Sequence, residues 1–229
     1  MKEERVNFKS GELELEGLVG KPASGGPFRA AVVCHPHPLY GGSMYNNVVD
    51  AVLEALWERG FATLRFNFRG VGASEGDHDN GRGETDDAIA AMRFLIGQAD
   101  VRPDGAVMAG YSFGAMVAVR AGARMPEAGI VAVIALPVAM ADTPALESAS
   151  KPVVMIAGDR DSYCPDDQIT ALAERLGARA TLDIIAGADH FFGGYEEDLT
   201  RILAARLGSL RAYAAVIARR SSRQGEDAG

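Results

Sequence analysis

Cysteine is nearly absent from this chain: 229 residues hold two, Cys34 and Cys164. Two thiols make no disulfide framework, so reduced cysteines in a cytoplasmic protein are expected. Positive charge is also short, with 23 Lys and Arg against 31 Asp and Glu, a net charge of −8 and a pI near 5.1. That balance repels phosphates, and no basic stripe interrupts the body of the chain, so a nucleic-acid partner is not expected. No run approaches the roughly 18 apolar residues of a membrane span, and the charged start Met1-Lys2-Glu3-Glu4-Arg5 precedes no signal-type apolar stretch. Histidine is sparse too, at four. His35 and His37 form an H-x-H pair whose side chains point the same way on an extended segment. With no third histidine or carboxylate nearby, no metal and no cofactor are expected.

What the chain does have is apolar bulk, 48% of residues, enough for the core of one domain over 1–218. The polar stretch 219–229, with Arg219, Arg220 and Arg223 near its start, reads as a frayed end. Short apolar runs alternate with helical periodicity along the body. Residues 12–19 alternate glutamate with apolar side chains, as a half-exposed antiparallel edge strand does. Residues 30–34 read as a buried strand, 46–59 as a helix closed by Gly60, 61–68 as a strand and 84–96 as a helix. Later strands are expected at 106–109, 130–136, 151–158 and 181–187, and later helices at 166–176 and 195–213. The pattern predicts an α/β fold, a doubly wound and mostly parallel sheet of about eight strands with helices on both faces.

One strand end stands out. Ala106-Val107-Met108-Ala109 runs into Gly110-Tyr111-Ser112-Phe113-Gly114, and a helical segment follows. A strand reversing sharply into a helix crowds the positions two before and two after its tip. Glycine at both lets the elbow close and leaves the serine hydroxyl exposed near helix N–H groups. Two further strand ends carry the groups that a serine nucleophile needs, in the order acid then base. Asp159 and Asp161 follow the strand at 151–158, and His190 follows the strand at 181–187. Asp189, adjacent to His190, is badly placed to accept from that imidazole.

The match extends across nearly the whole chain. His35-Pro36-His37-Pro38-Leu39-Tyr40-Gly41-Gly42, followed by Asn46 and Asn47, and Arg65-Phe66-Asn67-Phe68-Arg69-Gly70-Val71-Gly72-Ala73-Ser74-Glu75-Gly76 resemble a small, lidless bacterial branch of the α/β-hydrolase superfamily. Its members are similar to dienelactone hydrolases and carboxylesterases. Dienelactone hydrolases usually carry a cysteine nucleophile, so Ser112 favours a serine esterase. The pattern Gly158-x-x-Asp161-x-x-Cys164-Pro165 resembles the family's acid turn and selects Asp161 over Asp159, which would brace the turn. The resemblance implies a catalytic set of Ser112, His190 and Asp161.

An oxyanion hole in this fold takes the N–H after the nucleophile, Phe113, and one from the loop after the third strand. Pro36 and Pro38 have none to give. The second donor is therefore His37, Leu39 or Tyr40, with Leu39 favoured. His35 is expected to bond loop backbone at its strand end.

The glycine-rich loop 69–83 lacks the lysine of a phosphate loop and reads as a tight connection; Glu84 and Asp87, opening the next helix, satisfy its dipole and need no other role. Only about 15 residues, 137–151, separate two strands where a lid could be inserted, so the site should be open, with Tyr40, Tyr163 and Phe191 lining it. The expected activity is hydrolysis of small carboxylic esters. A thioesterase, amidase or peptidase would use the same residues, and a binding module could keep the fold without turnover. A small-molecule substrate and, possible on an open site, a homodimer complete the expectations.

Overall fold

A computed structural model describes residues 2–23 and 25–210; the polar stretch 219–229 and the end of the helix expected at 195–213 lie outside them. Eight strands form one sheet: β1 (Lys2–Ser10), β2 (Leu13–Lys21), β3 (Phe28–Cys34), β4 (Phe61–Phe66), β5 (Val101–Tyr111), β6 (Ala128–Ile134), β7 (Val153–Gly158) and β8 (Ala180–Ile185). Their spatial order is β1-β2-β4-β3-β5-β6-β7-β8. β1 pairs antiparallel with β2 and β2 with β4, and every other pairing is parallel. The helices are α1 (Asn47–Glu58), α2 (Arg82–Ile96), α3 (Phe113–Arg124), α4 (Thr143–Ser148), α5 (Asp166–Leu176) and α6 over 196–210.

Strand alternation builds the two layers. Ala31 and Val33 of β3 pack with Val48, Val52 and Leu56 of α1, while Ala30, Val32 and Cys34 pack with residues of α2 and α3. The start of α1 is set by Asn46, whose Oδ1 accepts the N–H of Val48 at 2.9 Å, and its end by Gly60 at φ 74°.

One expectation needs correction. The segment read as an edge strand, β2, is internal, and β1 takes the edge. Its Val6 and Phe8 are the only large apolar residues among charged ones, so periodicity alone gave it little signal. Arg65 of β4 holds it in place through Glu3 at 2.5 Å.

The connection between β6 and β7 runs over 135–152, close to the short stretch expected. It holds one 3-10 turn at Val138–Met140 and the six-residue α4. Among the described residues, no helix is long and apolar enough to cross a membrane. Every segment that the sequence marked for chemistry, from His35 to His190, lies at the carboxyl edge of the parallel strands.

Candidate active site

Ser112 is the cap residue between β5 and α3, at φ 56° and ψ −119°. That conformation is strained for a residue with a Cβ, and the surrounding backbone holds it there. The flanking glycines are required by contact. A Cβ at Gly110 would overlap the carbonyl of Gly114, and one at Gly114 would overlap the carbonyls of Cys34 and His35. The elbow therefore closes directly against the end of β3.

Ser112 Oγ lies 2.9 Å from His190 Nε2, and His190 Nδ1 lies 2.8 Å from Asp161 Oδ2. Asp161 and His190 are both buried. The other carboxylate oxygen of Asp161 accepts two backbone N–H groups, from Tyr163 at 2.8 Å and Cys164 at 2.9 Å. These bonds fix the plane of the carboxylate and leave Oδ2 to the imidazole.

The acid turn and the histidine loop are stitched together along the sheet edge. Gly158 ends β7, and a Cβ there would overlap the Ala188 carbonyl, so the glycine lets the loop after β8 cross over it. Arg160 N–H donates to Ala188 O at 3.0 Å, and Asp159 Oδ1 accepts from Gly187 N–H at 2.7 Å. Asp159 thus braces the turn, as the sequence suggested. Asp189 accepts from Phe191 N–H at 2.9 Å and is turned to its own loop.

Tyr111 was not singled out from sequence, yet it anchors the histidine. Its buried hydroxyl donates to His190 O at 2.8 Å. Burial and the negative charges of Asp161 and Asp189 push its ionisation up, so the hydroxyl keeps its proton. A tyrosine ending the buried apolar run that starts at Ala106 was the available signal, because a buried phenol needs a partner.

The loop after β3 differs from expectation. Leu39 N–H donates to His37 Nδ1 at 3.2 Å, and Tyr40 N–H donates to His37 O at 3.1 Å. Both N–H groups are spent on the 3-10 turn Pro38–Tyr40, so the choice of Leu39 as a donor into the site is overturned. Among the described residues the His37 N–H has no acceptor, and the His37 ring packs 4.7 Å from that of Phe113. An Nδ1 that accepts carries no proton, so the ring is neutral. Burial lowers its pKa and His78 lowers it further, against the pull of Glu84.

His35 takes the backbone role assigned to it. It is fully buried, with Nδ1 2.7 Å from Pro36 O and Nε2 accepting Phe68 N–H at 3.0 Å. Burial lowers its pKa to about 4 against the opposing pull of the Pro36 carbonyl.

Glu84 and Asp87 are more than dipole partners. Both are fully buried. Asp87 binds the Arg69 guanidinium through two bonds of 3.0 and 2.7 Å. Glu84 accepts from the N–H groups of Asp79 and Gly81 and lies 2.8 Å from His78 Nδ1, a close approach off the axis of a hydrogen bond. His78 in turn packs 5.0 Å from the ring of His37 and 5.4 Å from that of Phe113. The loop 69–83 therefore reaches the wall of the site.

Tyr40 is exposed, with its ring 4.8 Å from His37. Tyr163 and Phe191 are exposed against His190, at ring distances of 4.7 and 5.7 Å. Cys34 and Cys164 are buried free thiols, and burial, with the Asp161 charge, pushes Cys164 up to about 12, so neither is a reactive thiolate. Among the described residues no three His, Cys, Asp or Glu side chains could hold a metal ion.

A family model described as an alpha/beta hydrolase domain matches residues 31–201, and the chain belongs to that family. An uncharacterized protein of Rickettsia prowazekii is 36% identical over 208 residues, 87% of this chain and 86% of its own. Two solved structures are similar over nearly their whole length. An alpha-beta serine hydrolase homologue from Coxiella burnetii has a TM-score of 0.77 and 31% identity, over 90% of this chain and 98% of that one. A Xanthomonas campestris member of the serine hydrolases without a lid has a TM-score of 0.77 and 33% identity, over 89% and 92%. The chain belongs with these small lidless bacterial proteins.

Proposed function

We propose that the chain is a serine hydrolase of small carboxylic esters, working through an acyl-enzyme. The observation that carries this reading is the unbroken hydrogen-bonded run Ser112–His190–Asp161 at the carboxyl edge of the sheet. Ser112 Oγ attacks the ester carbonyl while His190 Nε2 takes its proton. Asp161 holds the imidazole with its own proton on Nδ1 and stabilises the imidazolium that forms. The tetrahedral intermediate collapses, the C–O bond to the alcohol breaks, and His190 returns the proton to the departing oxygen. Water, deprotonated by His190, then cleaves the acyl-serine by the same steps in reverse order.

The developing oxyanion is received by the N–H groups of Phe113 and His37. Phe113 opens α3, where no preceding turn supplies an acceptor, and His37 N–H is the loop donor not already engaged. The imidazole of His37 supports both, capping the 38–40 turn with Nδ1 while its ring lies on Phe113.

Ser112→Ala tests the reading. Loss of a nucleophile of this kind removes on the order of a millionfold in kcat. Ester turnover and fluorophosphonate labelling should both vanish while the unfolding transition stays in place. A tenth of the original esterase rate surviving in a clean preparation would refute it.

A further inference from the structure

We propose that the exposed rings of Tyr163 and Phe191 form a leaving-group subsite, and that the preferred substrates are esters of aromatic alcohols. The inference rests on the serine-hydrolase reading above and deepens it.

Proton transfer fixes which side of the substrate meets which wall. The tetrahedral carbon carries four groups: Ser112 Oγ, the oxyanion, the acyl carbon and the departing oxygen. The departing oxygen must come within hydrogen-bond reach of His190 Nε2 to receive its proton. The oxyanion is held on the side of Phe113 and His37. The remainder of the alcohol is therefore laid against whatever adjoins the imidazole of His190.

Aromatic rings adjoin it. Tyr111 is buried, with its hydroxyl committed to His190 O, and is closed to a substrate. Tyr163 and Phe191 contact the same imidazole and keep 62% and 63% of their surface exposed. Neither is a floppy surface side chain at its root. Tyr163 N–H is bonded to Asp161 Oδ1, and the Phe191 backbone is held at both ends, its N–H by Asp189 Oδ1 and its carbonyl by Asn47 Nδ2 at 3.1 Å. Two rings that rise from held backbone, lie against the proton donor and are open to solvent offer flat apolar faces where the alcohol must lie. An aromatic alcohol covers them by stacking or edge contact, and a short aliphatic one leaves them wet.

The test compares benzyl acetate with ethyl acetate, whose acyl groups are identical and whose alcohols are close in acidity. The protein should favour the benzyl ester in kcat/KM by about tenfold, the ratio that roughly 55 Å² of newly buried apolar area produces. Tyr163→Ala and Phe191→Ala should each move that ratio toward one, and Tyr163→Phe should retain it, because the ring face and not the hydroxyl is used. Ethyl phenylacetate against ethyl acetate places the ring on the acyl side, and that ratio should not respond to the two alanine variants.

Parallel loss on both acetates, with the ratio intact, would show the rings acting only on His190 or on association between copies, and would overturn the subsite. So would a response of the acyl-side ratio instead. Fluorophosphonate labelling of Ser112 is independent of either ratio. Labelling with an unmoved benzyl preference sinks the subsite alone, whereas failure to label sinks the serine mechanism beneath it.

Discussion

Replacing Asp161 by asparagine changes one atom and should nearly abolish turnover. The amide has two possible orientations, and the backbone chooses between them. Asp161 Oδ1 accepts from the N–H groups of Tyr163 and Cys164. With its oxygen in that position, an asparagine keeps both bonds. Flipped, it would set an NH2 against two N–H donors and leave them unsatisfied, at about 1–3 kcal/mol each. The amide oxygen therefore stays with the backbone, and the NH2 faces His190 Nδ1. That NH2 donates, so Nδ1 must be the bare nitrogen and the imidazole proton moves to Nε2. Nε2 then points a hydrogen at Ser112 Oγ and cannot take the serine proton. A wrong tautomer of this kind costs about 10⁴ in kcat, near 5.4 kcal/mol at 1.36 kcal/mol per decade. Asp159→Asn is the control. Among the described residues its Oδ1 accepts only Gly187 N–H, which an amide oxygen also accepts, so kcat should change by no more than about threefold. The assay is kcat for p-nitrophenyl acetate in Asp161→Asn, Asp159→Asn and the parent, with unfolding midpoints measured alongside. Both substitutions preserve backbone bonds, so both proteins should fold. A larger loss in Asp159→Asn, or a tenth of the parent rate in Asp161→Asn, would refute the assignment.

Acyl length should be limited by the short connection between β6 and β7. Each methylene buried adds about 0.8 kcal/mol, so kcat/KM should climb for acyl groups of about two to six carbons and then level off. A monomeric preparation still gaining at twelve carbons would contradict the open site. Stability should fall with acid through His35, whose pKa drops from 6.5 to about 4 on folding. Between those values the unfolded chain binds more protons than the folded one. His35 thus contributes no penalty above pH 6.5, and its penalty grows to about 3 kcal/mol as pH falls to 4. Urea unfolding at several pH values, with the His35 imidazole followed by NMR, checks this, and a His35 that titrates near 6.5 in the folded protein would disprove it.

The parts of the site legible in the sequence are those written in local patterns. The elbow glycines announce a clash between neighbours on the same short segment. The order of Ser112, Asp161 and His190 follows from where strands end, and strand ends are visible in apolar runs. What escaped depends on residues far apart in the chain. The fully buried carboxylate of Asp87 is tolerable only because Arg69, 18 residues earlier, supplies two charged hydrogen bonds, and no periodicity encodes that pairing. His78 has polar neighbours in sequence, while its neighbours in space are His37 and Phe113. The choice of Leu39 as an oxyanion donor failed for a similar reason. An asparagine-like turn made by a histidine side chain, with Nδ1 capturing the N–H two residues on, cannot be told from an open loop without coordinates.

The site divides into a rigid part and a bare part, and that division bears on how its specificity is set. Ser112 is held by glycine contacts with the β3 edge, Asp161 by two N–H groups, and His190 by Asp161 and the Tyr111 hydroxyl. Each reactive group is positioned by backbone or by buried side chains, so none waits for a substrate or a lid to assemble it. The exposed side chains beside these groups are of the opposite kind. Tyr40, Tyr163 and Phe191 are all exposed against His37 or His190, and they come from loops whose backbone bonds do not depend on those side chains. Substitution at such positions removes little buried surface and leaves the Ser–His–Asp geometry untouched. Substrate choice can therefore shift among proteins of this architecture through rim residues alone, with the stability of the fold and the chemistry at Ser112 held constant.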